Sequence, residues 1–267
     1  MFSYPFLTRA LIAGVLISLS AALLGVPLVL KRYAMIGDGL SHVGFGALAI
    51  AVAVNAAPLA VAIPIVIVAA FLLLRLTENS AVKGDSAIAL ISTGSLAIGV
   101  MVISASTGMN VDVNSYMFGS ILAMSSSDLA LSIILSAVVL TLFVIFYHRI
   151  FAITFDESFA AATGLHARFY TMLIALLTAL TIVIGMRLMG ALLISALVIF
   201  PPLTSMRVFK SFRSVVISSA ILSVCCFTVG MMISYAYSTP TGASVVCVYI
   251  AVYLIFALIG AVKGRIK

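Results

Sequence analysis

The chain has 267 residues, of which 64% are hydrophobic and only 8% are charged, and its formal net charge is +7. Soluble domains carry about 25% charged residues, so this composition excludes a water-soluble fold and indicates a polytopic membrane protein. At about 20 residues per span, the length allows about eight or nine spans and leaves almost no room for a soluble domain. The positive charge does not indicate nucleic-acid binding, because the chain has no solvated basic domain.

Nine apolar segments predict an all-α bundle of transmembrane helices that occupies residues 1–267 as a single domain. They lie at about 7–30, 36–54, 58–75, 86–106, 128–147, 169–186, 188–206, 214–236 and 245–262. The second segment is the least secure because it carries Asp38 and His42. The sixth and seventh are separated by Arg187 alone, so either eight or nine spans are expected.

The positions of lysine and arginine predict the orientation, because cytoplasmic loops carry an excess of these residues. If the N-terminus lies outside, only Arg9 and Arg187 of the 14 lysines and arginines fall on the outer side. The sequence therefore predicts an N-out, C-in topology. Two loops are long enough to form structure, an outer one at about 107–127 and an inner one at about 148–168.

The second segment contains the sequence Gly-Asp-Gly-Leu-Ser-His at 37–42. Asp38 and His42 are four residues apart and therefore share one helix face. Lys31 marks the inner interface, which places Asp38 roughly 10 Å inward at 1.5 Å per residue. Ionisable groups inside a membrane mark ion pathways, and carboxylate and imidazole both bind divalent transition metals. We interpret the pair as part of a cation pathway; the alternative is a buried Asp–His hydrogen bond that packs two helices.

One carboxylate and one imidazole are too few ligands for a closed metal site. A two-fold dimer would bring two of each together. Incomplete coordination also suits transport, because the ion must leave again. Small residues let another helix or an ion approach this segment closely, and they are Gly37, Gly39, Gly44 and Gly46.

The inner loop predicts a short helix at the cytoplasmic surface. Asp156 and Glu157 favour a helix N-terminus, Ala160–Ala162 are strong helix formers, and Gly164 suits the position after the C-cap. The expected apolar contacts are Phe155, Phe159 and Leu165. Such a helix is either a docking element for a partner or a connector packed on its own bundle.

Two further segments are expected to depart from simple spans. The outer loop is semi-apolar but too short to cross, which predicts a short re-entrant or interfacial helix. Pro201 and Pro202 lie inside the seventh segment, where the loss of two hydrogen-bond donors predicts a kink.

No motif indicates an enzyme. The chain lacks Gly-x-x-x-x-Gly-Lys-Ser/Thr, so any ATP must be hydrolysed by another chain, and it lacks His-Glu-x-x-His and Gly-x-Ser-x-Gly. A transport subunit is expected. Two alternatives remain open: a proton-driven secondary transporter with Asp38 and His42 as the relay, and an intramembrane metal enzyme with the same pair as ligands.

These motifs resemble those of the ABC-3 family of permeases, the membrane subunits of bacterial ABC importers for zinc, manganese or iron. The matching elements cover essentially the whole chain in order and are Leu30–His42, Tyr116–Leu122, Asp156–Gly164, Gly190–Pro201 and Thr239–Ala243. The first is the most specific. Many members have a Pro-Gly pair shortly after the histidine, where this chain has Val-Gly-Phe-Gly at 43–46; the aspartate and histidine are unchanged.

The resemblance implies the fold of the vitamin B12-type importers and a place in the bacterial plasma membrane. The implied partners are a second permease copy, two cytoplasmic ATPase subunits and an external solute-binding protein. The implied cargo is a divalent cation, zinc first and manganese or iron as alternatives, with no tightly bound cofactor. By this likeness, Asp38 and His42 contact the metal. The coupling helix that inserts into the ATPase would comprise Phe155, Asp156, Glu157, Ser158, Phe159, Ala160, Ala161 and Gly164, and an outer gate helix would include Asn114, Tyr116, Phe118 and Gly119.

Overall fold

The structure is a computed structural model that describes residues 5–79, 84–105 and 126–265. Within these ranges all regular structure is helical. The helices are α1 (Pro5–Leu30), α2 (Ile36–Ala53), α3 (Pro58–Asn79), α4 (Gly84–Ala105), α5 (Ser126–Ile145), α6 (Tyr147–Phe155), α7 (Glu157–Ala162), α8 (Ala167–Met189), α9 (Ala191–Met206), α10 (Phe212–Tyr237) and α11 (Thr241–Arg265).

Eight of these helices are long and apolar enough to cross a membrane, which confirms the predicted all-α polytopic bundle. The seventh apolar segment, predicted at 188–206, forms α9, which has only 16 residues and is therefore about 24 Å long, less than the roughly 30 Å of a bilayer core. Gly190, with φ of 87°, separates α8 from α9. A positive φ is readily adopted by glycine, so this residue permits the break between two apolar helices.

The centre of the bundle is formed by α1, α2 and α8, whose most apolar stretches are each 72% buried. By contrast, only 17% of the corresponding stretch of α4 and 11% of that of α11 are buried. The most exposed faces of α4 and α11 carry Leu90, Met101 and Leu258. The helix with the two ionisable residues is therefore a central helix.

The glycines of α2 allow close contact with its neighbours, as the sequence predicts. A Cβ on Gly46 would lie 2.7 Å from the Ser95 carbonyl oxygen of α4, and one on Gly99 would lie 3.0 Å from the Cα of Gly46. Gly44 faces the side chains of Met186 and Val66 in the same way. Small residues at these points let helix backbones approach within van der Waals contact, the usual basis of packing in membranes.

The inner loop contains two helices. The predicted short helix is present as α7: the Phe159 N–H donates to Asp156 Oδ1 at 2.8 Å, and Gly164 ends the helix with φ of 85°. The preceding helix α6 was not predicted. Ile150 and Ile153 of α6 are buried, and its aromatic residues pack against Phe212 at the start of α10.

Two sequence predictions concern regions where the structure gives less. Residues 106–125 lie outside the described ranges, so the predicted outer helix with Asn114, Tyr116, Phe118 and Gly119 lies outside them too. Pro201 and Pro202 are both buried inside α9, whose helical conformation continues through them to Met206.

Candidate functional site

Helix α2 presents Asp38 and His42 on its one open face. Every residue from Ile36 to Ala49 is buried except these two. The Asp38 side chain is 36% exposed and that of His42 is 22% exposed. Asp38 lies in the first turn of the helix, where the N-terminal end of the helix dipole favours a carboxylate. The pair is therefore neither sealed in a dry contact nor set on a generally exposed helix.

The two polar groups are adjacent but not hydrogen-bonded. Asp38 Oδ2 and His42 Nε2 are 3.6 Å apart, beyond the range of a hydrogen bond. The alternative of a direct Asp–His hydrogen bond is therefore not found. A cation about 2.1 Å from both atoms would see them at an angle of about 120°, close to what a tetrahedral zinc ion accepts.

The described residues of one chain offer this pair alone as candidate metal ligands at the site. Among the described residues, no group of three or more histidine, cysteine, aspartate or glutamate side chains is placed to hold a metal. Carboxylate plus imidazole is a chemically suitable but incomplete ligand set for a divalent transition metal. Water or a second copy of the chain could complete the ligand set.

Serine hydroxyls connect the first turns of α2 to α9. Ser41 Oγ donates to the Asp38 carbonyl oxygen at 2.7 Å, and Ser195 Oγ lies 3.2 Å from Ser41 Oγ. Both serines are buried, at 0% and 7% exposure. The sequence did not single out either residue, since an isolated serine in an apolar helix carries no pattern of its own. Their contact fixes the backbone that carries Asp38.

The contact between Gly37 and Val198 gives the depth of the Asp38/His42 pair relative to the cytoplasmic end of α9. A Cβ on Gly37 would meet the Val198 side chain at 3.4 Å, so the two residues lie at the same level along the axis of the helix bundle. Val198 precedes Arg207 by nine residues, or about 13 Å of helix. Arg207 belongs to the predicted cytoplasmic cations. This register is compatible with the depth of roughly 10 Å expected for Asp38.

An ion pair joins the inner loop to the segment that precedes α2. Lys31 Nζ lies 2.8 Å from Glu157 Oε2 and also donates to Thr171 Oγ1 at 3.1 Å. The lysine side chain is only 11% exposed. From the sequence, Lys31 served only to mark the inner interface. The one signal for this ion pair was that Asp156 and Glu157 lie in an inner loop, on the side of the membrane where most lysines and arginines are predicted.

Helix α7 buries one residue and exposes most of the others. Ala160 is 1% exposed, whereas Phe159 is 65% exposed, and Phe155 at the end of α6 is 60% exposed. An open groove of about 640 Å³ runs beside the helix and is lined in part by Ser158, Ala161, His166, Phe169 and Met172. Phe155 packs against Phe151 and Phe212, while Phe159 projects from the surface.

A second ion pair joins the predicted outer ends of α5 and α8. Arg187 Nη1 lies 3.3 Å from Asp128 Oδ1, and the aspartate side chain is only 9% exposed. The sequence predicted Arg187 as an outer loop cation and assigned Asp128 no role. The pairing was not predictable because 59 residues separate the two positions.

Known proteins are similar to this chain in both sequence and fold. The model of the ABC 3 transport family matches residues 3–260. The chain is 32% identical over 236 residues to "High-affinity zinc uptake system membrane protein ZnuB" of Buchnera aphidicola, which covers 88% of this chain and 90% of that protein. It is 29% identical over 248 residues to "Manganese transport system membrane protein MntC" of Halalkalibacterium halodurans, which covers 93% of this chain and 85% of that protein.

A solved structure gives the same result for the fold. "PsaBC from Streptococcus pneumoniae in complex with Fab" aligns with a TM-score of 0.84 and 28% identity, covering 95% of this chain and 91% of that one. Together with the eight candidate spans, these matches support the predicted multi-pass protein of the bacterial plasma membrane. Because the family model covers nearly the whole sequence, the chain belongs to the ABC 3 transport family.

Proposed function

We propose that this chain is the membrane-spanning permease subunit of an ATP-binding cassette importer for divalent transition-metal cations. The observation that carries the proposal is the opening of α2 at Asp38 and His42 alone, within a helix otherwise buried from Ile36 to Ala49. A central helix that leaves only a carboxylate and an imidazole accessible provides ligands for a cation at a depth where charge is costly. Relatives described as zinc and manganese systems support the same cargo class.

Zinc is the cargo we favour, with manganese or iron as the alternatives. In a two-fold pair of permeases, two carboxylates and two imidazoles would offer four ligands of the type and number that zinc prefers. Manganese prefers more oxygen ligands and a higher coordination number. The relatives do not decide between the metals, because zinc and manganese systems match the chain similarly.

The chain would act as one transmembrane domain, residues 1–267, in a larger assembly. Two cytoplasmic ATPase subunits would supply the energy, and an external solute-binding protein would deliver the cation. The exposed surface of α7, with Phe159 outward beside the exposed Phe155 at the end of α6, supports its assignment as the helix that docks on the ATPase. The segment at 114–124, with Asn114, Tyr116, Phe118 and Gly119, would close the outer side, and Pro201 and Pro202 would bend α9.

In the proposed cycle, ATP binding moves α7 and the bundle switches between outward-open and closed forms around the level of Asp38 and His42. The ion is held by a few ligands only, so it can also be released inward. The chain itself catalyses no reaction. Its residues provide ligands, exclude lipid from the path and transmit the movement of the ATPase subunits.

The test is zinc uptake by proteoliposomes that contain the permease with its ATPase subunits and are supplied with the zinc-loaded solute-binding protein. We expect Asp38→Asn and His42→Gln to abolish ATP-dependent uptake while the complex still assembles. The matched control is His148→Gln, which removes an imidazole that is exposed at the inner loop. Normal uptake by Asp38→Asn would refute the site, and uptake by a chain that co-purifies with no ATPase would indicate a proton-driven transporter instead.

A further inference from the structure

Lys31 occupies an enclosed position where several helices meet. The side chain is 11% exposed and borders a small, mainly apolar crevice of about 10 Å³. Its walls come from α1, α2, α3 and α8, and they include Leu28, Ile36, Leu74, Thr171 and Ile174. A lysine in such surroundings is stable only when its ammonium group is paired. Glu157 and Thr171 provide that pairing here.

The ammonium group connects α7 to the core of the bundle. Glu157 is the first residue of α7, and Thr171 lies in the first turns of α8. In the described part of the chain, the other side-chain hydrogen bonds of α7 are local ones: the Phe159 N–H donates to Asp156 Oδ1, and Thr163 Oγ1 donates to the Ala160 carbonyl. A displacement of the N-terminal end of α7 therefore acts directly on the side chain of Lys31.

The backbone between Lys31 and α2 is a short and closely hydrogen-bonded turn. Tyr33 N–H donates to the Leu28 carbonyl at 2.7 Å, and Arg32 N–H donates to the Val29 carbonyl at 3.1 Å. Arg32 has φ of 64°, the left-handed conformation that closes such a helix end. Non-glycine residues adopt this conformation at a cost, so the turn is tightly specified. Four residues after Arg32 the chain reaches Ile36, the first residue of α2, and Asp38 follows two residues later.

We propose that Lys31 is a positioning residue that transmits movement of α7 to the Asp38/His42 pair through its ion pair with Glu157. The inference rests on the proposed function, in which α7 docks on the ATPase and the pair contacts the cation. Lys31 does not touch the cation. It couples the two regions because its ammonium group is held by α7 and α8, while its backbone begins the turn that leads into α2.

The experiment measures zinc uptake and ATP hydrolysis together, in proteoliposomes that contain the complete complex. Lys31→Met keeps an unbranched side chain of similar length and removes the charge. We expect the complex to assemble and to hydrolyse ATP within about twofold of wild type, while zinc transported per ATP falls at least about tenfold. The matched control is Lys210→Met, at an exposed position on the same side of the bundle, which should retain the wild-type ratio.

The charge exchange separates transmission from mere stability. Lys31→Glu combined with Glu157→Lys should restore the amount of zinc transported per ATP hydrolysed to within about threefold of wild type, because the ion pair is rebuilt with opposite polarity. Three results would overturn the inference: an unchanged ratio in Lys31→Met, equal loss of hydrolysis and transport in that variant, or absence of rescue by the exchange. If the single variants fail to assemble, a functional exchange variant with the wild-type ratio still supports it.

The two proposals fail in different ways. If the wild-type complex moves no divalent cation, the proposed function is wrong. If the wild-type complex moves zinc and Lys31→Met moves it with the same ratio, only the role of Lys31 is wrong.

Discussion

The carbonyl oxygen of Val198 in α9 points directly at Gly25 in α1, at the position where any other residue would carry its Cβ. In a regular helix this oxygen accepts a hydrogen bond from residue 202, which here is a proline without an N–H. The freed carbonyl instead meets the Cα of Gly25, the geometry of a weak Cα–H···O contact. The proline and the glycine therefore act together to bring α1 and α9 into backbone contact.

This contact predicts that Gly25 does not tolerate a side chain. Gly25→Ala should lower the free energy of unfolding by about 1–3 kcal/mol, because the backbone carbonyl opposite it is held within a helix. The measurement is the Tm of the purified protein in detergent. Gly94→Ala is the control, since a Cβ there meets no atom within 4 Å and alanine favours the helix. Equal Tm values for the two variants would contradict the packing described here.

The ion pair between Asp128 and Arg187 predicts a non-additive result. Asp128→Leu should cost about 1–3 kcal/mol, because Arg187 then loses its charged partner at a site where the aspartate is largely buried. The double variant Asp128→Leu/Arg187→Leu should recover part of this loss, since both charges are gone. Thermal unfolding of the four proteins completes the cycle. Simple addition of the two single effects would show that the pair contributes nothing.

The N-cap of α7 predicts a graded effect on the inner surface. Asp156→Ala removes the acceptor of the Phe159 N–H and should destabilise this helix by about 1 kcal/mol, whereas Asp156→Asn retains a good cap. Hydrogen exchange of the amides at 157–163 should therefore be faster in the alanine variant alone. If α7 docks on the ATPase, the same variant should retain less of that subunit on purification. Identical exchange in both variants would exclude capping by Asp156.

Much of the fold was predictable because the hydrophobic pattern of a membrane protein determines its spans. Segment 36–54 became Ile36–Ala53, and the cap and the terminal glycine of α7 followed from local sequence chemistry. The helix α6 was missed because its nine residues mix aromatic, basic and aliphatic side chains with no span-length run. The sharp break at Gly190 was not assigned either, since glycines are common in apolar helices.

The candidate site was only half predictable. Asp38 and His42 stand out because ionisable residues at helical spacing are rare in an apolar segment. The contacts that support them join distant parts of the chain, with Ser41 meeting Ser195 and Lys31 meeting Glu157 across 154 and 126 residues. Such contacts depend on how the helices assemble, and no local pattern of residue types encodes them.

The most direct test of the central claim is a structure of the complete complex trapped with zinc, with the metal located by its anomalous scattering. The account predicts zinc about 2.0–2.2 Å from the Asp38 carboxylate and the His42 imidazole, with further ligands from the second permease copy or water. Zinc found along a path that these two side chains do not line would contradict the account, as would both side chains facing lipid in every state.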